Sequence, residues 1–177
     1  MNVTAFERLI ETCERDLYSF CRYLAMDGPT ASDLYQETAL AAFEMRNRID
    51  PEQNPKSFLF SIAVGKWKNM RRKAARRQSL VPEVSLTQMN AAWHVSDNAY
   101  TPENEAIKAA QRECIHQIIS AMKDKFRLPL ILYYFDDCST EAISAILKIP
   151  AGTVKSRLHK GRTLLKDTLI KEGFNDG

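Results

Sequence analysis

The sequence predicts an all-α protein made of two helical domains joined by a flexible linker. Three observations carry that expectation. Apolar residues recur at helical spacing through most of the chain. No segment shows the apolar-polar alternation of a strand. One polar stretch, from Ser79 to about Tyr100, contains Pro82, lacks a helical period, and separates a group of three helical segments from a group of four. A chain of 177 residues has room for one or two domains, each with its own core.

The first helix is marked by Phe6, Leu9, Ile10, Cys13, Leu17, Phe20, Cys21 and Leu24, and Gly28-Pro29 ends that region. Thr30, with Asp33 three residues on, resembles a capping box. It opens a second helix that runs to about Arg48, with Leu34, Leu40, Ala41, Phe43 and Met45 apolar. Asp50 to Pro55 holds two prolines and an asparagine and reads as a loop. A third, long helix spans about Lys56 to Arg77, with Phe58, Leu59, Ile62, Ala63 and Met70 inward.

Beyond the linker, Thr101-Pro102-Glu103 supplies a cap, a proline for the first turn and an acid for the helix dipole. Ile107, Ala110, Cys114, Ile118 and Met122 form that helix's inward stripe, and another helix follows from about Leu128 to Asp136. Residues 138–166 then read as two short helices joined by a tight turn. Ser139 or Thr140 can cap the first, and Glu141 suits the positive end of its dipole. Ile143, Ile146 and Leu147 face inward, and Pro150 and Gly152 punctuate the turn. In the last helix Val154, Leu158 and Leu165 face inward. Lys155, Ser156, His159, Lys160 and Arg162 then fall largely on the other side. The expected divisions are 1–78, a linker at 79–101, and 102–177.

Charge distribution says more than the mild net charge of +3. Lys56 to Arg77 holds eight basic residues and no acid, whereas Ser79 to Ala106 holds four acids and no Lys or Arg. An anion-binding face beside a neutral-to-acidic linker is implied. The four cysteines show no Cys-x-x-Cys or Cys/His spacing, so no metal site is expected, and Cys13 and Cys21 read as buried thiols. No apolar run is long enough to span a membrane and no signal peptide stands at the N-terminus, so a cytoplasmic location is expected. His94, His116 and His159 are dispersed and the acids do not cluster. An enzyme such as a nuclease is therefore not expected, nor a cofactor, nor a small-molecule substrate.

Two short helices with a basic second one are the sequence form of a helix-turn-helix that enters a DNA major groove. Short polar and basic side chains near a helix N-terminus suit base-edge and phosphate contacts. A plain helical hairpin with a solvated basic face is the competing reading. In the third helix, Lys66, Trp67, Asn69, Arg71, Arg72, Lys73 and Arg76 combine cations, an aromatic ring and an amide. Cations draw phosphates, and an aromatic ring can stack on an unpaired base. Asp33, Gln36 and Glu37 share one face of the second helix. On residues alone that face is either a docking surface or simply a solvated side.

Taken together, the motifs resemble those of a bacterial extracytoplasmic-function (ECF) sigma factor, in the family's order and over most of the chain. Asp33-Leu34-Tyr35-Gln36-Glu37-Thr38, with Ala41 and Phe43, is similar to the D-L-x-Q-E segment of region 2.2. Lys56-Ser57-Phe58-Leu59-Phe60-Ser61-Ile62-Ala63 looks like the W-L-x-x-I-A segment. Gly152-Thr153-Val154-Lys155-Ser156-Arg157-Leu158-His159-Lys160-Gly161-Arg162 is similar to G-T-V-K-S-R-L-x-R-A-R.

The resemblance implies a regulatory subunit that catalyses nothing itself. Asp33, Gln36, Glu37 and Phe43 would bind the β′ clamp of core RNA polymerase, and the C-terminal domain the β flap. The basic part of the third helix would engage and melt the −10 element, and the loop from Arg48 to Lys56 would take a flipped base. Thr153, Lys155, Ser156, His159 and Lys160 would contact the −35 element, with Arg157 and Arg162 on phosphates or bracing the fold. An anti-sigma factor, in many members membrane-bound, is a further implied partner. Gly65 departs from the Asn of many members, and Lys160 and Gly161 from the usual Arg and Ala. These bear on base preference, since Lys and Arg recognise guanine differently. A stand-alone helix-turn-helix regulator remains the second reading; it leaves the N-terminal helices without a role.

Overall fold

Asn2 and Asp27 set where the first two helices begin. The computed structural model describes residues 1–50, 53–80, 114–115, 117–134 and 137–173, with the backbone alone at 78–80. Helix α1 spans Val3–Ala25, and the Asn2 side chain accepts a bond from the Ala5 N–H at 2.8 Å. It stops at Met26, whose left-handed conformation (φ 71°) lets its N–H reach the Arg22 carbonyl. Asp27 then caps α2, Gly28–Glu44, by accepting from the Thr30 N–H at 2.8 Å. This corrects the expected boundary: Gly28-Pro29 opens α2 rather than closing α1, and Thr30 is a donor in the cap, not its acceptor. The physical reason is that a first-turn proline loses nothing by lacking an N–H. Helix α2 also ends before Arg48, giving way to a 3-10 turn at Arg46–Arg48.

Helix α3 spans Pro55–Leu80, with the Asn54 side chain accepting from the Ser57 N–H at 3.1 Å. It continues past the expected end at Arg77 and into the first residues assigned to the linker. The remainder of that linker, and the helix start at Thr101-Pro102-Glu103 with Ile107 and Ala110, lie outside the described residues. Residues 114–115 and 117–121 are helical.

Helix α4, Asp124–Tyr134, begins four residues before the expected Leu128. Asp124 places an acid in its first turn, at the positive end of the dipole. Pro129 removes one helical bond, but the carbonyl it leaves belongs to Lys125, an exposed residue that water can reach. The expected end at Asp136 lies outside the described residues. Helix α5, Thr140–Leu147, is capped by Ser139, whose hydroxyl accepts from the Ala142 N–H at 3.1 Å. Lys148 ends it in the left-handed region (φ 55°). Helix α6, Ala151–Lys171, follows Pro150 directly. Gly152 therefore sits inside α6 and not in the turn; the turn's positive φ falls on Lys148, and the Ser144 hydroxyl braces it by donating to the Ile149 carbonyl at 2.6 Å.

The fold is all-α, with no strand among the described residues. Helices α1, α2 and α3 pack on one another, and α6 packs on α4 and α5. Phe20 and Phe60 are fully buried and stacked, with ring centroids 4.5 Å apart, among Leu17, Leu24, Leu34 and Leu59. Leu130, Ile131, Leu132, Ile143 and Val154 fill the second group. The two groups share one apolar cluster, because α3 also packs on α5 and α1 touches α4. Cys13 and Cys21 are buried as expected. Burial pushes the Cys13 thiol up, against the pull of Lys56, so it stays protonated and inert.

Candidate nucleic-acid and protein-docking faces

The turn at Lys148–Pro150 and the apolar positions Val154 and Leu158 orient α6. With those two buried, Lys155, Ser156, His159 and Lys160 are all exposed on its outer face. Their spacing (i, i+1, i+4, i+5) places them on two adjacent turns of one side. The Ser156 hydroxyl donates to the Thr153 carbonyl at 3.0 Å and rotates readily toward another partner. Thr153 and Arg157 are half-buried at the edges of the face. Arg162 points elsewhere: its guanidinium lies over the rings of Tyr133 and Tyr134, 5.0 and 5.4 Å from their centroids. It braces α6 on the end of α4.

The basic segment of α3 divides in two. Asn69, Arg72, Lys73 and Arg76 are exposed and share one side, and the Asn69 amide oxygen accepts from Arg72. Lys66 is half-buried, with its ammonium 3.8 Å from a Glu37 carboxylate oxygen. Trp67 and Arg71, one turn apart, face the second half of the chain. Trp67 is buried, at 4% exposure, and Arg71 pairs with Asp124. Of the residues expected on one open DNA face, Trp67 is therefore turned inward and Arg71, though exposed, is held by a carboxylate of the second half.

On α2, Asp33, Gln36 and Glu37 are exposed together. Leu40 and Phe43 continue the exposed side with apolar groups, and the Phe43 ring sits edge-on to Phe6 at 5.6 Å. A mixed acidic and apolar surface of this sort fits a protein partner better than an anion.

Sequence reasoning missed Asp124 and Arg127. Arg127 is a buried charge, at 4% exposure, and its Nη2 lies 3.1 Å from Asp124 Oδ1. Burial holds its guanidinium below the usual range, with Asp124 the main opposing influence. The Asp-x-x-Arg spacing was the available signal. The exposed pair Tyr133-Tyr134 was also missed. Among the described residues no cluster of metal-ligating side chains occurs, and no helix is long and apolar enough to cross a membrane.

Gly161 explains how close α6 lies to α4. A Cβ at that position would stand 3.0 Å from Leu130 Cδ1 and 3.1 Å from its Cγ. In a helix interior Ala is favoured over Gly by about 1 kcal/mol. Gly161→Ala is nevertheless expected to destabilise, because the fully buried Leu130 must shift by a few tenths of an ångström within packed surroundings to admit the methyl group. Leu130→Val should relieve the clash. A double-mutant cycle from urea unfolding is expected to show a coupling of about 1 kcal/mol between the two sites; simple additivity would remove the close approach as the cause.

Known proteins share this arrangement. Family models for Sigma-70 region 2 and Sigma-70 region 4 match residues 9–77 and 112–165. The chain is 28% identical over 166 residues to the ECF RNA polymerase sigma factor SigW of Bacillus subtilis, covering 93% of this chain and 89% of that protein. It is 25% identical over 169 residues to the RNA polymerase sigma-E factor of Streptomyces coelicolor, covering 95% and 88%. Its fold is similar to that of the sigma factor RpoE of Bartonella quintana, solved in complex with the anti-sigma factor NepR, with a TM-score of 0.80, 22% identity, and 94% and 98% of the two chains covered. Two family regions in order, and relatives that match over most of their length, leave the helix-turn-helix as one part of a larger device: the chain belongs to the ECF group of the sigma-70 family, alternative sigma factors that direct transcription initiation.

Proposed function

We propose that this chain joins core RNA polymerase through Asp33, Gln36, Glu37 and Phe43 on α2, against the β′ clamp. Its second half meets the β flap and lays α6 in the −35 major groove. Asn69, Arg72, Lys73 and Arg76, with Lys66, hold the −10 element as it opens, and Trp67 and Arg71 join them once uncovered. The functional divisions are then 1–78, a linker at 79–101 and 102–177. The observation that carries the reading is the separation of two exposed cationic faces, one on α3 and one on α6, in a chain whose two halves match the family's two regions in order. Each face supplies cations for phosphate, and the polymerase fixes the distance between them. The chain carries out no reaction of its own and works in the cytoplasm, where promoter DNA lies. The RpoE relative's anti-sigma complex supports a comparable partner here, soluble or membrane-bound.

Docking on polymerase has its own test. Asp33→Ala combined with Glu37→Ala should leave helicity unchanged, since both side chains are exposed. The Glu37–Lys66 pair that this breaks is long, at 3.8 Å, and largely open to water, so it contributes little to stability. Affinity for core polymerase is expected to fall about tenfold or more, as two interfacial charges are removed. Anisotropy of the labelled chain titrated with core polymerase measures this, and unchanged affinity would remove the α2 face from the interface.

A further inference from the structure

Trp67, Arg71, Asp124 and Arg127 form one cluster across the seam between the two halves. Asp124 Oδ2 takes Arg71 from α3, and Asp124 Oδ1 takes Arg127 from α4. The two guanidiniums stand 5.1 and 5.3 Å from the centroid of the Trp67 ring. Beside them lies a cavity of about 650 Å³, lined in part by Leu24, Met26, Met70 and Met122. Resting on the reading of α3 as the −10 helix, we propose that Asp124 is an internal latch. Its carboxylate stands where a promoter phosphate would stand against Arg71, and it keeps Trp67 covered until polymerase and DNA open the seam.

The chemistry favours a latch over a fixed brace. Arg127 is buried, and its Nε has no hydrogen-bond partner. That donor loses its hydration in the closed form and regains it on opening. The Arg71–Asp124 pair is only partly buried, with side-chain exposures of 58% and 38%, so its attraction is modest and screened by salt. The cavity leaves part of the seam without packing partners. Opening exposes Trp67, an aromatic ring that an unpaired base can cover. The closed form therefore gains from covering Trp67 and loses from stranding the Arg127 Nε, which keeps the two forms close enough in energy for a binding partner to shift. On its own helix turn Asp124 has Lys123, Lys125 and Arg127 as neighbouring cations, and among the described residues only Arg127 and Arg71 pair with it.

The test uses the full chain carrying Trp93→Phe, so that Trp67 is the one tryptophan. Asp124→Asn keeps the shape of the side chain and removes the charge. Acrylamide quenching is expected to report about a fivefold larger accessible fraction of Trp67, the size of one partly exposed ion pair. Arg71→Gln, which leaves Asp124 with Arg127, should raise the quenching similarly, and it covers the case in which Asp124→Asn disturbs α4. In the parent chain, quenching should rise between about 0.05 and 0.5 M salt, roughly the range over which such pairs are screened. Asp124→Asn should also bind core polymerase more tightly. Quenching unchanged in both variants would overturn the latch, and so would raised quenching with unchanged polymerase affinity. The underlying reading of α3 fails separately, if Arg72→Ala with Lys73→Ala leaves run-off transcription intact.

Discussion

Lys155→Ala combined with Lys160→Glu is expected to remove most promoter-directed transcription while leaving the chain folded. Both side chains are exposed on α6, away from Val154 and Leu158, which hold that helix to the core. The change subtracts one positive charge and reverses another on the face that would lie against the major groove. Removing one phosphate-binding cation lowers the salt slope of binding by about one, and a cation that also reads a base edge adds discrimination on top. Holoenzyme affinity for the cognate promoter should fall about a hundredfold, with a salt slope shallower by about two. Run-off transcription across a salt series measures both. Wild-type transcription with wild-type slope would take the −35 role away from α6.

Phe60→Ala should give the largest loss of stability among single changes in the first bundle. Phe60 is fully buried, its ring stacks on Phe20 at 4.5 Å with 30° between planes, and the Lys56 ammonium lies 5.5 Å from the ring's centroid. Truncating a buried phenylalanine costs about 3–5 kcal/mol, from reduced burial and from the cavity left behind. That is a large share of the total stability of a domain of this size, about 5–15 kcal/mol. Urea unfolding followed by far-ultraviolet circular dichroism measures it, with Leu40→Ala as the control. Leu40 is 60% exposed, and its truncation should fall within about 0.5 kcal/mol of neutral. A loss at Phe60 no larger than at Leu40 would contradict the packing described.

Phe60 also marks where sequence reasoning stopped. The helices were legible because each carries an apolar stripe at helical spacing, and α1 shows this most plainly. Along α3, however, Leu59, Phe60, Ile62, Ala63, Val64 and Trp67 are all buried. They do not fit one stripe, because α3 is covered by α1 and α2 on one side and by α5 on another. A template for a single buried face therefore passed over Phe60 and left Trp67 undecided. The boundary near Thr30 failed for a local reason: Asp27 and Thr30 are both good capping residues, and only the backbone shows which accepts.

The candidate faces divide in the same way. The exposed row Lys155, Ser156, His159 and Lys160 could be read directly, since its neighbours Val154 and Leu158 fix which side is inward. Arg71 could not be placed, and Arg162 stayed open between phosphate contact and bracing, because what holds them is distant in sequence. Asp124 holds the first, and Tyr133 and Tyr134 hold the second. Spacing along one helix carries no record of a partner on another.

Above all, this chain is expected to confer promoter choice on core RNA polymerase. Core polymerase alone and core polymerase with the purified chain, each given a library of promoter fragments, test that most directly by mapping the transcript start sites. The predicted result is a new set of starts that depends on the chain, that shares one −35 and one −10 sequence, and that vanishes with Lys155→Ala, Lys160→Glu. The same starts with and without the chain, or tight sequence-specific duplex binding by the chain that needs no polymerase, would contradict it.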